Sequence, residues 1–67
     1  MDARIVKAIV EKRVLSLAYG SEQLDVEPHC YGLDFKGNAA VLVWQRSFPK
    51  AGWKLLHLAK VRIILPL

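Results

Sequence analysis

The sequence lacks most of what marks an enzyme or a metalloprotein. Its one cysteine, Cys30, excludes an intramolecular disulfide, and the two histidines, His29 and His57, do not give zinc-site spacing with it. The four glycines are isolated, so there is no glycine-rich phosphate loop. No third group is placed to orient a Cys–His pair for nucleophilic catalysis. We expect no catalytic residue, metal or cofactor, and we expect Cys30 to be a buried small apolar side chain.

Long apolar runs are also missing. No segment approaches the length of a membrane span, and the N-terminus alternates charged with apolar residues where a signal peptide has a continuous apolar core. A lone cysteine fits a reducing compartment. The sequence therefore predicts a cytoplasmic protein with no membrane partner.

Basic residues are numerous but form no run. The formal net charge is +4 with ten Lys and Arg residues, and the pI is about 9.6. This balance favours anionic partners such as nucleic acid or nucleotides. The alternative is that the scattered basic residues only keep a small domain soluble, and the net charge by itself does not distinguish binding of an anionic partner from solubility.

Apolar residues are in surplus. Hydrophobic residues make up 54% of a chain of 67 residues, which is the length of a single small domain over residues 1–67. Because a domain of this size has too much surface to hide so many apolar groups, some of them should meet another surface. We expect a homodimer or a place in a larger regulatory assembly.

One helix is predicted at the N-terminus. Asp2 is a suitable N-cap for a helix over 3–12. Apolar residues recur at helical spacing, and Val10 widens their stripe. The predicted members are Ile5, Val6, Ala8, Ile9 and Val10.

Strands follow the helix without any crossover helix. They are predicted at 14–19, 23–35, 39–45, 53–58 and 61–65. Pro28 cannot donate a ladder hydrogen bond and predicts an edge or a bulge, while Gly32 offers a second bend. A turn is expected at 36–38 and a loop at 46–52. The pattern indicates a mostly β protein, a small antiparallel barrel of about five strands with one N-terminal helix.

The loop at 46–52 is flanked by the best candidate binding residues. Trp44 precedes it, Arg46 begins it, and Trp53 and Lys54 follow it, which places two indoles and two cations around one loop. Indoles stack on bases and cations neutralise phosphates, so this combination is typical of nucleic-acid binding. The alternative is that both indoles close the barrel end or a dimer interface.

Further basic residues lie in the last hairpin. Lys54, Lys60 and Arg62 are candidates for a basic rim that contacts phosphates, and His29 is a candidate for stacking or hydrogen bonding. The alternative for the three cations is that they are solvated charges that keep an edge strand from aggregating.

Several segments resemble the WYL domain family of bacterial transcriptional regulators and CRISPR-associated accessory proteins. The resemblance covers nearly all of the chain, from Ile5 to Leu65. The matching segments are Lys-Arg at 12–13, Leu-Ala-Tyr-Gly at 17–20, Val-Glu-Pro-His at 26–29, Gly-Asn at 37–38 and Trp-Lys-Leu-Leu-His-Leu-Ala-Lys-Val at 53–61. The resemblance implies an SH3-like (Sm-like) barrel and a small, stand-alone, divergent member of the family.

The resemblance also implies a function. Such domains are similar to sensing modules that bind nucleic acid or nucleotide-like ligands through basic residues. Lys54 and Lys60 fall where the family usually has arginine, Leu24 replaces another family arginine, and the name-giving tripeptide falls on 40–42, where only Leu42 is kept. We expect a regulatory module that binds an anionic ligand in transcription regulation or defence; the alternative is a protein–protein interaction or dimerisation module with no ligand.

Overall fold

The N-terminal helix, α1, spans Ala3–Glu11 in the computed structural model, which describes residues 2–46 and 51–67. The prediction of Asp2 as the N-cap is confirmed, because its carboxylate accepts a hydrogen bond of 2.9 Å from the Arg4 N–H. That side chain also pairs with the Arg4 guanidinium, which lowers the pKa of the Asp2 carboxyl. The helix ends at Lys12, whose backbone is left-handed with φ 56°.

One stripe of α1 packs against the second strand. Ile5 and Ala8 are buried, and the Asp2 N–H donates to the Tyr31 hydroxyl at 3.2 Å. The prediction that Val10 belongs to this stripe is wrong, since its side chain is 75% exposed. The helical rotation of about 100° per residue places Val10 roughly 140° around the axis from Ile5.

Five antiparallel strands form one sheet, which confirms the mostly β class with a single N-terminal helix. They are β1 (Leu15–Tyr19), β2 (Glu22–Leu33), β3 (Ala39–Gln45), β4 (Gly52–His57) and β5 (Val61–Pro66), in the order β4-β3-β2-β1-β5. A 3₁₀ turn at Leu58–Lys60 joins β4 to β5. Pairing among the described residues ends at β4 on one side and β5 on the other, so closure into an SH3-like barrel stays a prediction.

A bulge interrupts β2 where Pro28 predicted one. The register with β3 shifts between Pro28 and Cys30, since Pro28 pairs with Val43 and Cys30 with Leu42. This shift breaks the alternation that would have turned Cys30 inward with Pro28. The prediction of a buried Cys30 is therefore wrong, because the thiol is exposed. Pairing continues without a shift through Gly32.

The β2–β3 connection is a tight turn that includes the predicted residues 36–38 and begins at Asp34. Gly37 has φ 81°, a conformation that favours glycine, and its N–H donates to the Asp34 carbonyl at 3.0 Å. The Asp34 carboxylate accepts from the N–H groups of Lys36 and Asn38 at 2.9 and 2.8 Å. Because Asp34 begins the turn, β2 ends at Leu33, two residues earlier than predicted.

The core lies between α1 and the inner face of the sheet. Alternation predicts most of it, since Leu15 and Leu17 in β1 are buried and Tyr19 packs beside them. The buried apolar residues are Ile5, Ala8, Leu15, Leu17, Leu24, Val26, Ala40, Val41, Val43, Leu56 and Ile64. On the outer face of β3 and β4, the large apolar side chains of Trp44, Trp53 and Leu55 are exposed.

Candidate functional site

Three aromatic rings meet on the outer face of the sheet. The centroids of Trp44 and Trp53 lie 5.2 Å apart at an interplanar angle of 84°, and those of His29 and Trp53 lie 4.9 Å apart at 68°. Both are edge-to-face contacts, a favoured geometry for aromatic pairs. We call His29, Trp44 and Trp53 the aromatic cluster.

Strand pairing and the bulge assemble this cluster. Trp44 and Trp53 are direct partners across β3 and β4, so their side chains leave the same face of the sheet. His29 sits at the bulge of β2 and is exposed. Trp44 is 36% exposed and Trp53 is 58% exposed, so ring surface remains open to a ligand.

Arg46 lies at the same end of the sheet. Its Nε is 3.5 Å from Glu27 Oε2, and Glu27 is the β2 partner of Trp44. Both side chains of this ion pair are about half exposed. Arg46 thus places a cation beside the aromatic cluster, although a neighbouring carboxylate offsets part of its charge.

A cleft adjoins the cluster at His29. It has a volume of about 430 Å³ and lies between the end of α1 and the bulge of β2. Its lining residues are Ile9, Lys12, Arg13, Glu27, Pro28 and His29. Sequence reasoning missed Lys12 and Arg13 as site residues, because their closeness to His29 depends on how the helix packs on the sheet. The sequence signal that could have indicated them is that two basic residues are adjacent at the predicted end of the helix.

The other predicted cations lie elsewhere. The β3 partner of Lys54 is the fully buried Val43, so Lys54 leaves the opposite face of β4 from Trp53. Lys60 is exposed in the 3₁₀ turn after the far end of β4. Arg62 is exposed on β5, the other end of the strand order. The structure therefore brings His29, Trp44 and Arg46 together and leaves Lys54, Lys60 and Arg62 outside that group.

Asp34 and His57 form a second polar contact on the outer face. His57 Nε2 is 3.5 Å from Asp34 Oδ2. The hydrogen bond from the Asn38 N–H, reinforced by that from Lys36 and by His57, holds the pKa of the Asp34 carboxyl below its ordinary value. Because this carboxylate is committed to the β2–β3 turn, its role is to fix the hairpin.

Metal-binding clusters are not found in the part of the chain that the structure describes: no three His, Cys, Asp or Glu residues gather there. Within residues 2–46 and 51–67, no helix is both long and apolar enough to cross a membrane. No protein-family model matches the chain, and no curated protein matches it significantly. The resemblance to the WYL family accordingly stays a prediction.

Proposed function

We propose that this protein is a cytoplasmic binding module that holds an anionic, base-containing ligand, a nucleotide or single-stranded nucleic acid, on the aromatic cluster. The observation that carries the proposal is the exposed His29–Trp53–Trp44 arrangement. A regulatory role in transcription or defence is what the resemblance to the WYL family adds to it.

The shape of the cluster suits a base. Exposed aromatic side chains bind bases by stacking, and this interaction tolerates any base because every base has a π face. The two indoles hold each other edge-to-face, so they are oriented before a ligand arrives. Such preorganisation reduces the entropy lost on binding.

Charge supports the same ligand class. Arg46 lies beside the cluster, and Lys12 and Arg13 line the cleft next to His29. Lys54, Lys60 and Arg62 lie apart from the cluster and add to the overall positive field of a chain with net charge +4. Cations close to the cluster give contacts with phosphate, whereas distant ones raise the rate of encounter.

Salt-dependent binding tests the proposal. We expect fluorescently labelled single-stranded oligonucleotides of several base compositions to bind at low salt. If two phosphates are neutralised, affinity should fall about sevenfold between 50 and 200 mM salt, by counterion release from single strands. Anisotropy titrations measure this fall, and quenching of indole fluorescence reports contact with the cluster. Absence of binding by the whole panel and by free nucleotides at low salt would refute the proposed function.

A dimerisation module is the second candidate, and the outer face of β3 and β4 favours it. Leu42 pairs with Leu55 next to the Trp44–Trp53 pair, and Cys30 pairs with Leu42, so one face carries an apolar patch. Leu55 is 54% exposed, and β4 is an end strand of the sheet. Such a patch on a domain of this size is typical of an interaction surface.

Sedimentation tests this second candidate. We expect the wild-type protein to sediment as a dimer at micromolar concentration and Leu55→Asp to sediment as a monomer, because a buried unpaired carboxylate opposes association. Leu65→Asp, which adds the same charge at a residue that is 56% exposed on β5, at the other end of the strand order, is the control and should remain dimeric. A wild-type monomer at all concentrations would contradict the dimer.

A further inference from the structure

The cleft between α1 and β2 has the size and lining of a small-ligand subsite. Its volume of about 430 Å³ falls within the range of roughly 300–1,000 Å³ that is usual for such sites. Ile9 and Pro28 give it apolar walls, and Lys12, Arg13 and His29 give it hydrogen-bond donors or potential donors. His29 also contacts Trp53, so the cleft and the aromatic cluster share a residue.

Of the lysine and arginine side chains that line the cleft, Lys12 is the one that forms no ion pair among the described residues. Arg13 Nε lies 2.6 Å from Glu11 Oε1, and Glu27, the one carboxylate in the lining, is paired with Arg46. Among the ion pairs of residues 2–46 and 51–67, none includes Lys12. The exposed Lys12 ammonium is therefore the group best able to receive an anion here, and His29 lines the same cleft from β2.

Lys12 stands where glycine is normally favoured. Among the described residues it is the one non-glycine with positive φ, at 56°. Its N–H donates to the carbonyls of Ala8 and Ile9, and the Arg13 N–H also donates to Ala8 at 2.9 Å, so two of the carbonyls at the negative end of the helix accept hydrogen bonds from the capping residues. A lysine in this conformation costs on the order of 1 kcal/mol of backbone energy compared with glycine.

We propose that the cleft binds a phosphate monoester, with Lys12 as its principal contact, while the base of the same ligand stacks on the aromatic cluster. This inference rests on the proposed function and narrows its ligand class to nucleotides with a terminal phosphate. Such a group carries close to two negative charges at neutral pH. The Glu27 carboxylate in the lining opposes a continuous row of phosphates, so the cleft accepts one phosphate rather than the backbone of a long strand.

Calorimetric titration of matched ligands tests the subsite. Calorimetry compares the binding of adenosine with that of adenosine 5′-monophosphate to the wild-type protein. Fluorescence anisotropy compares two forms of one short labelled oligonucleotide, one with a 5′-phosphate and one with a 5′-hydroxyl. We expect the phosphorylated partner to bind about tenfold more tightly in at least one pair, the usual scale of a charged hydrogen bond. A preference in the first pair identifies a free nucleotide as the source, and a preference in the second identifies a strand end.

Lys12→Gly is the decisive variant because glycine keeps the left-handed backbone and removes the ammonium. It should abolish the preference for phosphate and leave the affinity for adenosine and the hydroxyl oligonucleotide unchanged. Lys36→Ala, which removes one charge from the β2–β3 turn, is the control and should keep the preference. Thermal unfolding of each variant verifies folding.

The outcomes separate the two proposals. Equal binding of phosphorylated and unphosphorylated partners by the wild-type protein would refute the phosphate subsite and leave base stacking standing. Equal losses in Lys12→Gly and Lys36→Ala would also refute it, because they would indicate general electrostatic attraction. Failure of every ligand to bind would refute both proposals.

Discussion

Leu24→Ala should destabilise the protein by about 2–5 kcal/mol, the range for removing a fully buried leucine side chain. Leu24 is 1% exposed and pairs with Leu17 at the centre of the core. A core in a domain of this size supplies only roughly 3–5 kcal/mol of net stability. The variant should therefore be largely unfolded at 37 °C. Urea-induced unfolding followed by far-ultraviolet circular dichroism measures the loss.

Leu33→Ala is the matched control for this prediction. It makes the same chemical change in the same strand, but Leu33 is 71% exposed, so stability should change by no more than about 0.5 kcal/mol. The comparison separates loss of core packing from any effect of alanine on β2 itself. A loss below about 1 kcal/mol in Leu24→Ala would contradict the core assignment.

Trp53→Ala should weaken binding of a base-containing ligand about 5- to 150-fold, which corresponds to roughly 1–3 kcal/mol for one stacking contact. Trp53 is the central ring of the aromatic cluster, since it contacts both His29 and Trp44. Its removal also frees the other two rings from their edge-to-face contacts. Because Trp53 is 58% exposed, the fold should survive the change. Anisotropy titration at low salt measures the loss.

Two further variants control for position and for ring chemistry. Leu55→Ala removes an apolar side chain of similar exposure from the same face of β4 and should leave affinity within about twofold, since Leu55 offers no ring for stacking. Trp53→Phe keeps an aromatic face and should recover part of the lost affinity. If Leu55→Ala weakened binding as much as Trp53→Ala, the ligand would be recognising apolar surface rather than stacking on the cluster.

Local sequence signals predicted the elements of the fold. Period-two alternation in 14–19 puts Leu15 and Leu17 on one face of the strand, which the structure shows to be the buried one, and the third strand, Ala39–Gln45, has the predicted bounds. Asp2 caps the helix and Gly37 forms the turn through interactions with the backbone of nearby residues, so the sequence alone predicted both features. These features are local because each depends on residues a few positions apart.

Cys30 illustrates where alternation fails. Pro28 predicted a bulge, but a bulge also reverses the face of every residue that follows, and its exact place is fixed by pairing with β3. If the shift is ignored, the alternation of side chains along β2 predicts that Cys30 lies on the same buried face as Pro28. The pattern of one strand cannot reveal which of its own residues the pairing will pass over.

The sequence likewise predicted some residues of the candidate site and missed others. The sequence showed that Trp44 and Trp53 flank one loop, and the pairing of β3 with β4 makes them neighbours. It grouped Lys54 with them, although adjacent residues of a strand leave opposite faces. It gave no reason to join Lys12 to His29, because that proximity depends on the angle at which α1 crosses β2.

By itself, the sequence determined the helix, the strands, the turn at 36–38 and the excess of apolar and basic residues. Only the tertiary structure decided which of these residues share a surface. The strand register placed two indoles together, the bulge added His29 to them, and helix packing set Lys12 in the same cleft as His29. The physical reason is range: caps, turns and alternation act over a few residues, whereas a binding surface is assembled by contacts between distant ones.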